Sequence, residues 1–337
     1  MKIFKLRVSA LFRGATLVLG LLFTLVTHGR SAEGEDHLLL LRNGNRVCGV
    51  APQIGGRVMV FRMESGENVL DARPESWSDK PSSNVKDLNW RQYFGESVWS
   101  GPQTDWWTAK EPYPIERIGT WPPDPAWEMA PFAIIEQTPT RAVLRSSASA
   151  LTGLELTKTI ELLADGRLRF QVRAVNRGTK AVTRDLWLIH RVPLSARCFA
   201  PLELETIGPG VTEAARVQRI DGLTMVEPKP QPLLKKDIGG KIMGTMKEGW
   251  MVSILSGTIL TVRFQPTDPA KVAPGHAAGE IFISPALRPL FELEHHGELK
   301  TLQPGEGMES EELWEVKAYA GPDTAEAQAR FLQMPSL

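Results

Sequence analysis

The sequence predicts an all-β protein, a sandwich of large antiparallel sheets with decorated loops and one short C-terminal helix. Three observations predict it. Apolar and polar residues alternate with a period of two along most of the chain, turn signals punctuate the alternating runs, and only Thr324 to Leu332 carries helical spacing. Many short strands with almost no helix leave packed antiparallel sheets as the architecture.

The first 32 residues stand apart from that pattern. Lys2, Lys5, Arg7 and Arg13 precede an apolar run from Ala15 to Val26, and Gly29, Ser31 and Ala32 follow, which is the layout of a secretory signal. The run is short for a membrane span, so cleavage near Ala32 is expected, with a retained anchor as the alternative. Both readings place residues 33–337, read as a single domain, outside the cytoplasm, in the periplasm or beyond the cell.

Strands follow in order. Leu38 to Arg42, an Asn43-Gly44 turn, Arg46 to Val50, and Arg57 to Met63 read as three strands. A meander comes next: Leu154, Leu156 and Ile160 lead to the Ala164-Asp165-Gly166 turn, and Leu168, Phe170, Val172 and Ala174 then alternate with polar residues. After Asn176-Arg177-Gly178, a strand runs from about Ala181 to Arg191. Trp250 to Leu255, Ile259 to Phe264, Glu280 to Ser284, Leu290 to His295, and Leu313 to Ala320 continue the pattern.

Two segments interrupt it. Between Asp71 and Pro131 lie seven of the ten tryptophans, Trp77, Trp90, Trp99, Trp106, Trp107, Trp121 and Trp127, among many prolines. Such a segment is too irregular for a central strand and too aromatic for a solvated loop, so it reads as a functional insertion. Its indoles either plug the mouth of the β-fold or stack on a ring-shaped ligand, a sugar first of all. Gln218 to Gly240, with Pro228, Pro230 and Pro232, is the second excursion.

Charge and motifs exclude several functions. Removing residues 1–32 removes five basic residues, which leaves 34 basic against 39 acidic and a net charge of −5. Nucleic acid is therefore not an expected partner, since it requires a basic footprint. No phosphate cradle, nucleophile elbow, H-E-x-x-H or paired C-x-x-C is present, and no metal or cofactor is expected. Adjacent His295 and His296 point to opposite faces of a strand and cannot ligate together. Cys48 and Cys198 are expected as buried thiols rather than a bridge.

One strand carries a sharper constellation. From Leu290 onward, Glu292, Glu294 and His296 share one face and Phe291, Leu293 and His295 the other. Two carboxylates a strand repeat apart, roughly 7 Å, raise one another's proton affinity, which suits acid–base work. The plainer alternative is a solvated charged face. His190 ends a strand apolar on both sides, and is either a satisfied core residue or a catalyst.

The stretch Val50 to Phe61 with Gly66-Glu67-Asn68-Val69-Leu70 resembles the opening hairpin of galactose mutarotase-like proteins, the aldose 1-epimerases. Phe291-Glu292-Leu293-Glu294, Leu302-Gln303-Pro304-Gly305-Glu306 and Leu313-Trp314-Glu315-Val316 resemble their closing elements, and Asn176-Arg177-Gly178 with the strand ending at His190 resembles the middle. Within that superfamily, Gly95 to Trp107 and Trp121-Pro122-Pro123-Asp124 resemble an uncharacterised group of secreted bacterial proteins known only as a domain of unknown function. The resemblance implies a β-supersandwich with a sugar cleft, Glu294 as base (Glu292 as the alternative) and His190 as acid. Arg191-Val192-Pro193 departs from the aromatic pair that follows the family's histidine, and the family's Asn-Arg sugar-binding segment has no counterpart.

The reading is a carbohydrate-binding protein with cofactor-independent epimerase chemistry. Trp99, Trp106 and Trp107 supply stacking, and Arg57, Asp105 and Glu292 meet hydroxyls. A non-catalytic polysaccharide module and a glycan lyase or hydrolase are the alternatives.

Overall fold

The computed structural model describes residues 34–82, 91–106, 123–230, 239–284 and 289–334. The leader predicted over 1–32, together with Trp90, Trp107 and Trp121, lies outside them. Ser31–Leu337 gathers into one compact unit.

Among the described residues the strands form three antiparallel sheets. The first is a meander of β1 (Leu39–Asn43), β2 (Arg46–Ala51) and β3 (Arg57–Met63), as the Asn43-Gly44 turn predicts. The short helices are α1 (Pro125–Glu128), α2 (Val211–Ala214) and the C-terminal α3 (Ala325–Gln333), which Thr324 caps at the Ala327 N–H. No described helix is long and apolar enough to cross a membrane.

The ten-stranded sheet takes β5 (Ala133–Gln137), β6 (Arg141–Arg145), β7 (Leu154–Leu162), β8 (Leu168–Asn176), β10 (Arg197–Ala200), β12 (Ala215–Ile220), β13 (Leu223–Pro228), β15 (Trp250–Leu255), β16 (Thr258–Phe264) and β20 (Gly307–Ala318). Their order across the sheet is β12-β13-β10-β15-β16-β20-β8-β7-β6-β5. Its inner face is the alternation seen in the sequence: Leu154, Leu156, Ile160, Leu168, Phe170, Val172 and Ala174 are buried. The other large sheet runs β11 (Leu202–Ile207), β14 (Gly240–Met246), β17 (Gly279–Ser284), β18 (Leu290–His296), β9 (Val182–Pro193), and both β19 (Lys300–Leu302) and β4 (Glu96–Gly101) also pair with β9.

β4 corrects the reading of the tryptophan-rich insertion as wholly irregular. Glu96 to Gly101 is a strand buried along its whole length, on the flank of β9 opposite β18, with Trp99 beside Trp187. No alternation betrays it, because a strand covered on both faces has no wet face to mark. Trp77 and Trp127 pack in the main core instead. Gly55 is what lets α1 approach the β2–β3 turn: its φ is +61°, and a Cβ there would sit 2.7 Å from the Trp127 and Glu128 carbonyl oxygens.

Polar groups join the layers. On β20, Glu312 accepts from His190 Nε2 at 3.1 Å, His295 Nε2 at 2.6 Å and Trp314 Nε1 at 2.7 Å, so one carboxylate of the ten-stranded sheet holds two imidazoles of the other. Phe264 stacks on His295 at 3.8 Å. Lys158 of β7 reaches Glu96 of β4 with both oxygens at 3.1 Å, and both residues are buried. Cys48 and Cys198 are buried free thiols.

Burial opposes ionisation of Glu312, but His190 and His295 outweigh it and hold the carboxyl at about 2. A carboxylate held low stabilises the fold above its unfolded value of roughly 4.3, and that contribution is lost as pH falls toward the folded value. Glu312→Gln is expected to cost about 3–5 kcal/mol in denaturant unfolding, as breaking a buried pair does. Glu64→Gln, which breaks the half-exposed pair with Arg42, is expected to cost under about 1 kcal/mol.

Candidate functional site

The pairing of β18 with β9 sets the site. Glu292 faces Arg191, Glu294 faces Ile189 and His296 faces Trp187, and paired residues lie on one side of the sheet. This is the face away from the sandwich core, and it is not solvated: Glu292, Glu294 and His296 are all buried. A groove of about 510 Å³ opens above it, lined by Trp99, Trp187, Lys241, Phe282, Glu292 and Glu294 with Gln92 and Gln103 at its side.

Glu294 is the centre of this face. Its Oε2 accepts from Trp187 Nε1 at 2.7 Å and from Lys241 Nζ at 2.8 Å, and its buried Oε1 has no hydrogen-bond partner among the described residues. Lys241 also donates to Glu280 Oε2 at 2.5 Å and lies 4.6 Å above the Trp187 ring. Burial pushes Glu294 up, Lys241 pulls it down, and Glu280 and Glu292 repel its charge; the balance leaves it at about 7. Glu280 is also buried, but His276, His296 and Lys241 hold it well below the carboxylate range. Despite its own burial, Lys241 is held above the ordinary lysine value by Glu294 and Glu280.

Beside this centre stands an aromatic wall. Trp99 meets Trp187 edge-on at 4.9 Å and Trp106 at 5.4 Å, and all three indoles are buried. The indole N–H groups are anchored: Trp99 donates to Glu128 Oε2 at 2.7 Å and Trp106 to the Ser100 carbonyl at 2.7 Å. They form a rigid wall whose rims reach the groove, not a row of open flat plates. Arg191 pairs with Glu292 at 2.7 Å and donates to Ser97 at 2.9 Å.

The structure brings Glu294, Glu292, Trp99 and Trp106 to one region, with Trp106 as backing for Trp99. It does not bring His190 there. His190 pairs with Leu293, one residue out of phase with Glu294, so its ring points into the core. There Nε2 meets Glu312 and Nδ1 meets the Leu293 carbonyl at 3.1 Å, so both ring nitrogens face acceptors. Although burial works against it, Glu312 raises His190 and favours the doubly protonated ring. A strand's alternation prohibits the His190–Glu294 acid–base pair.

Arg57 also misses the groove. Buried at the start of β3, it donates to the carbonyls of Phe94 at 2.7 Å and Glu128 at 2.9 Å and pairs with the Glu128 carboxylate. Its role is to tie β4 and α1 to β3. Asp105 lies near Arg184, 3.6 Å from Nη1, and does not line the groove. Trp107 lies outside the described residues. The residues the sequence did not single out are Trp187, Lys241 and Phe282. Trp187 was detectable as the pairing partner of His296 once β9 and β18 were taken as neighbours; Lys241 carried no local signal.

Residues 37–317 match the family described as Domain of unknown function (DUF4380). The chain belongs to that family. This DUF4380 chain also has the galactose mutarotase-like fold. It superposes on the Slr1438 protein from Synechocystis sp. PCC 6803 with a TM-score of 0.55 at 16% identity, covering 83% of this chain and 96% of that one. A putative aldose 1-epimerase from Escherichia coli K12 gives 0.53 at 15% identity, over 83% and 99% of the two chains. A galactose mutarotase-like protein from Lactobacillus casei ATCC 334 gives 0.53 at 13%, over 83% and 100%. No curated protein matches the sequence.

Because the folded DUF4380 chain holds the Glu294 proton more tightly than an unfolded chain does, this group stabilises the fold at low pH. That contribution is lost as pH rises from roughly 4.3 through the folded value. Glu294→Gln is therefore expected to flatten the fall in unfolding free energy across that window, measured by denaturant unfolding at successive pH values.

Proposed function

We propose that the groove binds a carbohydrate ring, seated beside the Trp99–Trp187 wall with one hydroxyl at Glu294 Oε1. The observation that carries this is that oxygen: buried, without a partner among the described residues, and belonging to a residue that lines the groove. A buried carboxyl oxygen left unpaired is costly and calls for a partner from a ligand. Glu294 sits at about 7, so near neutral pH it is present both as acceptor and as donor. A sugar hydroxyl answers either form, since it donates and accepts. Lys241, Gln92 and Gln103 supply further polar contacts around a partly apolar cleft, which is the composition of a small-polyol site.

The same value supports a second, catalytic reading. A carboxyl near neutrality is matched to taking and returning a proton, as opening of an aldose at its anomeric hydroxyl requires. With His190 in the core, the ring-oxygen proton in that reading comes from another donor; Lys241, held protonated by Glu280 and Glu294, is suited to steadying negative charge in the groove rather than to giving up its proton. The signal-like leader supports action outside the cytoplasm.

Titration calorimetry with a panel of neutral mono- and oligosaccharides is expected to find a ligand, and Glu294→Gln to bind it roughly tenfold more weakly, the scale of one charged hydrogen bond. No binding by any sugar would overturn the proposal. Optical rotation of freshly dissolved aldoses then separates the readings. Acceleration by wild type that Glu294→Gln lacks selects the epimerase, and binding without acceleration selects the module.

A further inference from the structure

Behind the groove lies a second cluster that the sugar site does not use. His276 precedes β17, Glu280 is on β17 and His296 ends β18. His276 Nδ1 is 3.2 Å from Glu280 Oε1, His296 Nε2 is 3.5 Å from the same oxygen, and the three ligand atoms lie within 4.8 Å of one another. Donors bound to one tetrahedral zinc at its usual bond lengths sit roughly 3.4 Å apart. The two measured edges straddle that spacing.

We propose that His276, Glu280 and His296 bind a zinc-like first-row divalent cation. Two imidazoles and one carboxylate are a donor set for such ions and not for magnesium or calcium, which take oxygen ligands.

Three further observations support it. His296 Nε2 is buried without a hydrogen-bond partner among the described residues and is turned toward the other two ligand atoms. Its other nitrogen, Nδ1, lies 2.9 Å from Asp185 Oδ2. A carboxylate on the far nitrogen of a ligating imidazole fixes the tautomer that leaves Nε2 free for a metal. Gly101 makes room for this brace, since a Cβ there would collide with the Asp185 carboxylate.

Charge points the same way. Asp185, Glu280 and Glu294 bring three buried carboxyl groups together, and among the described residues Lys241 is the ammonium bonded to two of them, Glu280 and Glu294. A divalent ion between His276, Glu280 and His296 offsets the excess of negative charge that Asp185 and Glu280 leave here. A proton on His296 is the rival occupant of the same position.

The ligands do not line the groove; Trp187, which does, packs on both imidazoles at 4.8 and 4.7 Å. The ion would thus act as a clamp, fixing the approach to β17 against the end of β18, and with it Glu280, Lys241 and the floor of the sugar site. Binding at Nδ1 moves the His276 proton to Nε2 and gives up the 3.4 Å contact from the Gln103 N–H, a long hydrogen bond.

The test is metal binding by the purified whole protein, stripped with chelator and then titrated with Zn²⁺ and with Co²⁺ as a spectroscopic reporter. The expected result is one equivalent retained against a micromolar competing dye, with Co²⁺ absorption in the visible range typical of a four-coordinate site. His296→Gln and His276→Gln are expected to weaken binding at least a hundredfold and Asp185→Asn by 10–100-fold. Anomalous scattering from wild-type crystals grown with Zn²⁺ locates the ion even where a variant fails to fold. No saturable binding by wild type, an ion located elsewhere, or unchanged affinity in folded His276→Gln and His296→Gln variants would each overturn the proposal. All these readouts are independent of sugar binding, so either proposal can fail alone.

Discussion

The pairing of β9 with β18 is the constraint on which the rest depends. Both strands are covered on both faces, so their two-residue period cannot sort apolar from polar in the usual way. It sorts two different polar systems instead. His190 and His295 go inward to Glu312, while Glu294, His296 and Asp185 go to the groove side. A slip of one residue in this register would exchange the two sets and destroy both.

Such a register needs enforcement, because burying ions is unfavourable on its own. Taking a charge from water costs several kcal/mol, roughly, unless close partners repay it. Here the partners come from different layers: Glu312 from β20 meets β9 and β18, Lys158 from β7 meets Glu96 of β4, and Glu128 of α1 meets Arg57 of β3. Each pair is satisfied in one relative placement of the sheets. Apolar contacts supply the bulk of the stability; these ions fix which arrangement of the layers is adopted.

On the groove side the same economy of charge sets the chemistry. One ammonium serves two carboxylates, and the more deeply compensated Glu280 stays ionised while Glu294 drifts to neutrality. The indole N–H of Trp187 and the Lys241 ammonium both bind Glu294 Oε2, which leaves the buried Oε1 without a hydrogen-bond partner among the described residues. Trp99, Trp106 and Trp187 are buried beside these groups, and burial magnifies each of these electrostatic effects.

One wet face made β7 and β8 legible from Leu154 to Ala174, with the turns that join them, and the C-terminal helix was legible too; the short alternating strands β6 and β14 went unread, and the excursion from Gln218 to Gly240 in fact holds β13. The face shared by Glu292, Glu294 and His296 followed from alternation alone, and so did the separation of His295 from His296. Burial of that face did not, because nothing local to β18 says what covers it. The insertion's strand β4, the inward turn of His190 and the recruitment of Lys241, His276 and Glu280 were decided only by tertiary structure. Each depends on which distant strand lies alongside. Periodicity reports whether a residue alternates with its chain neighbours, and carries no information about which partner, 100 residues or so away, meets it across a sheet.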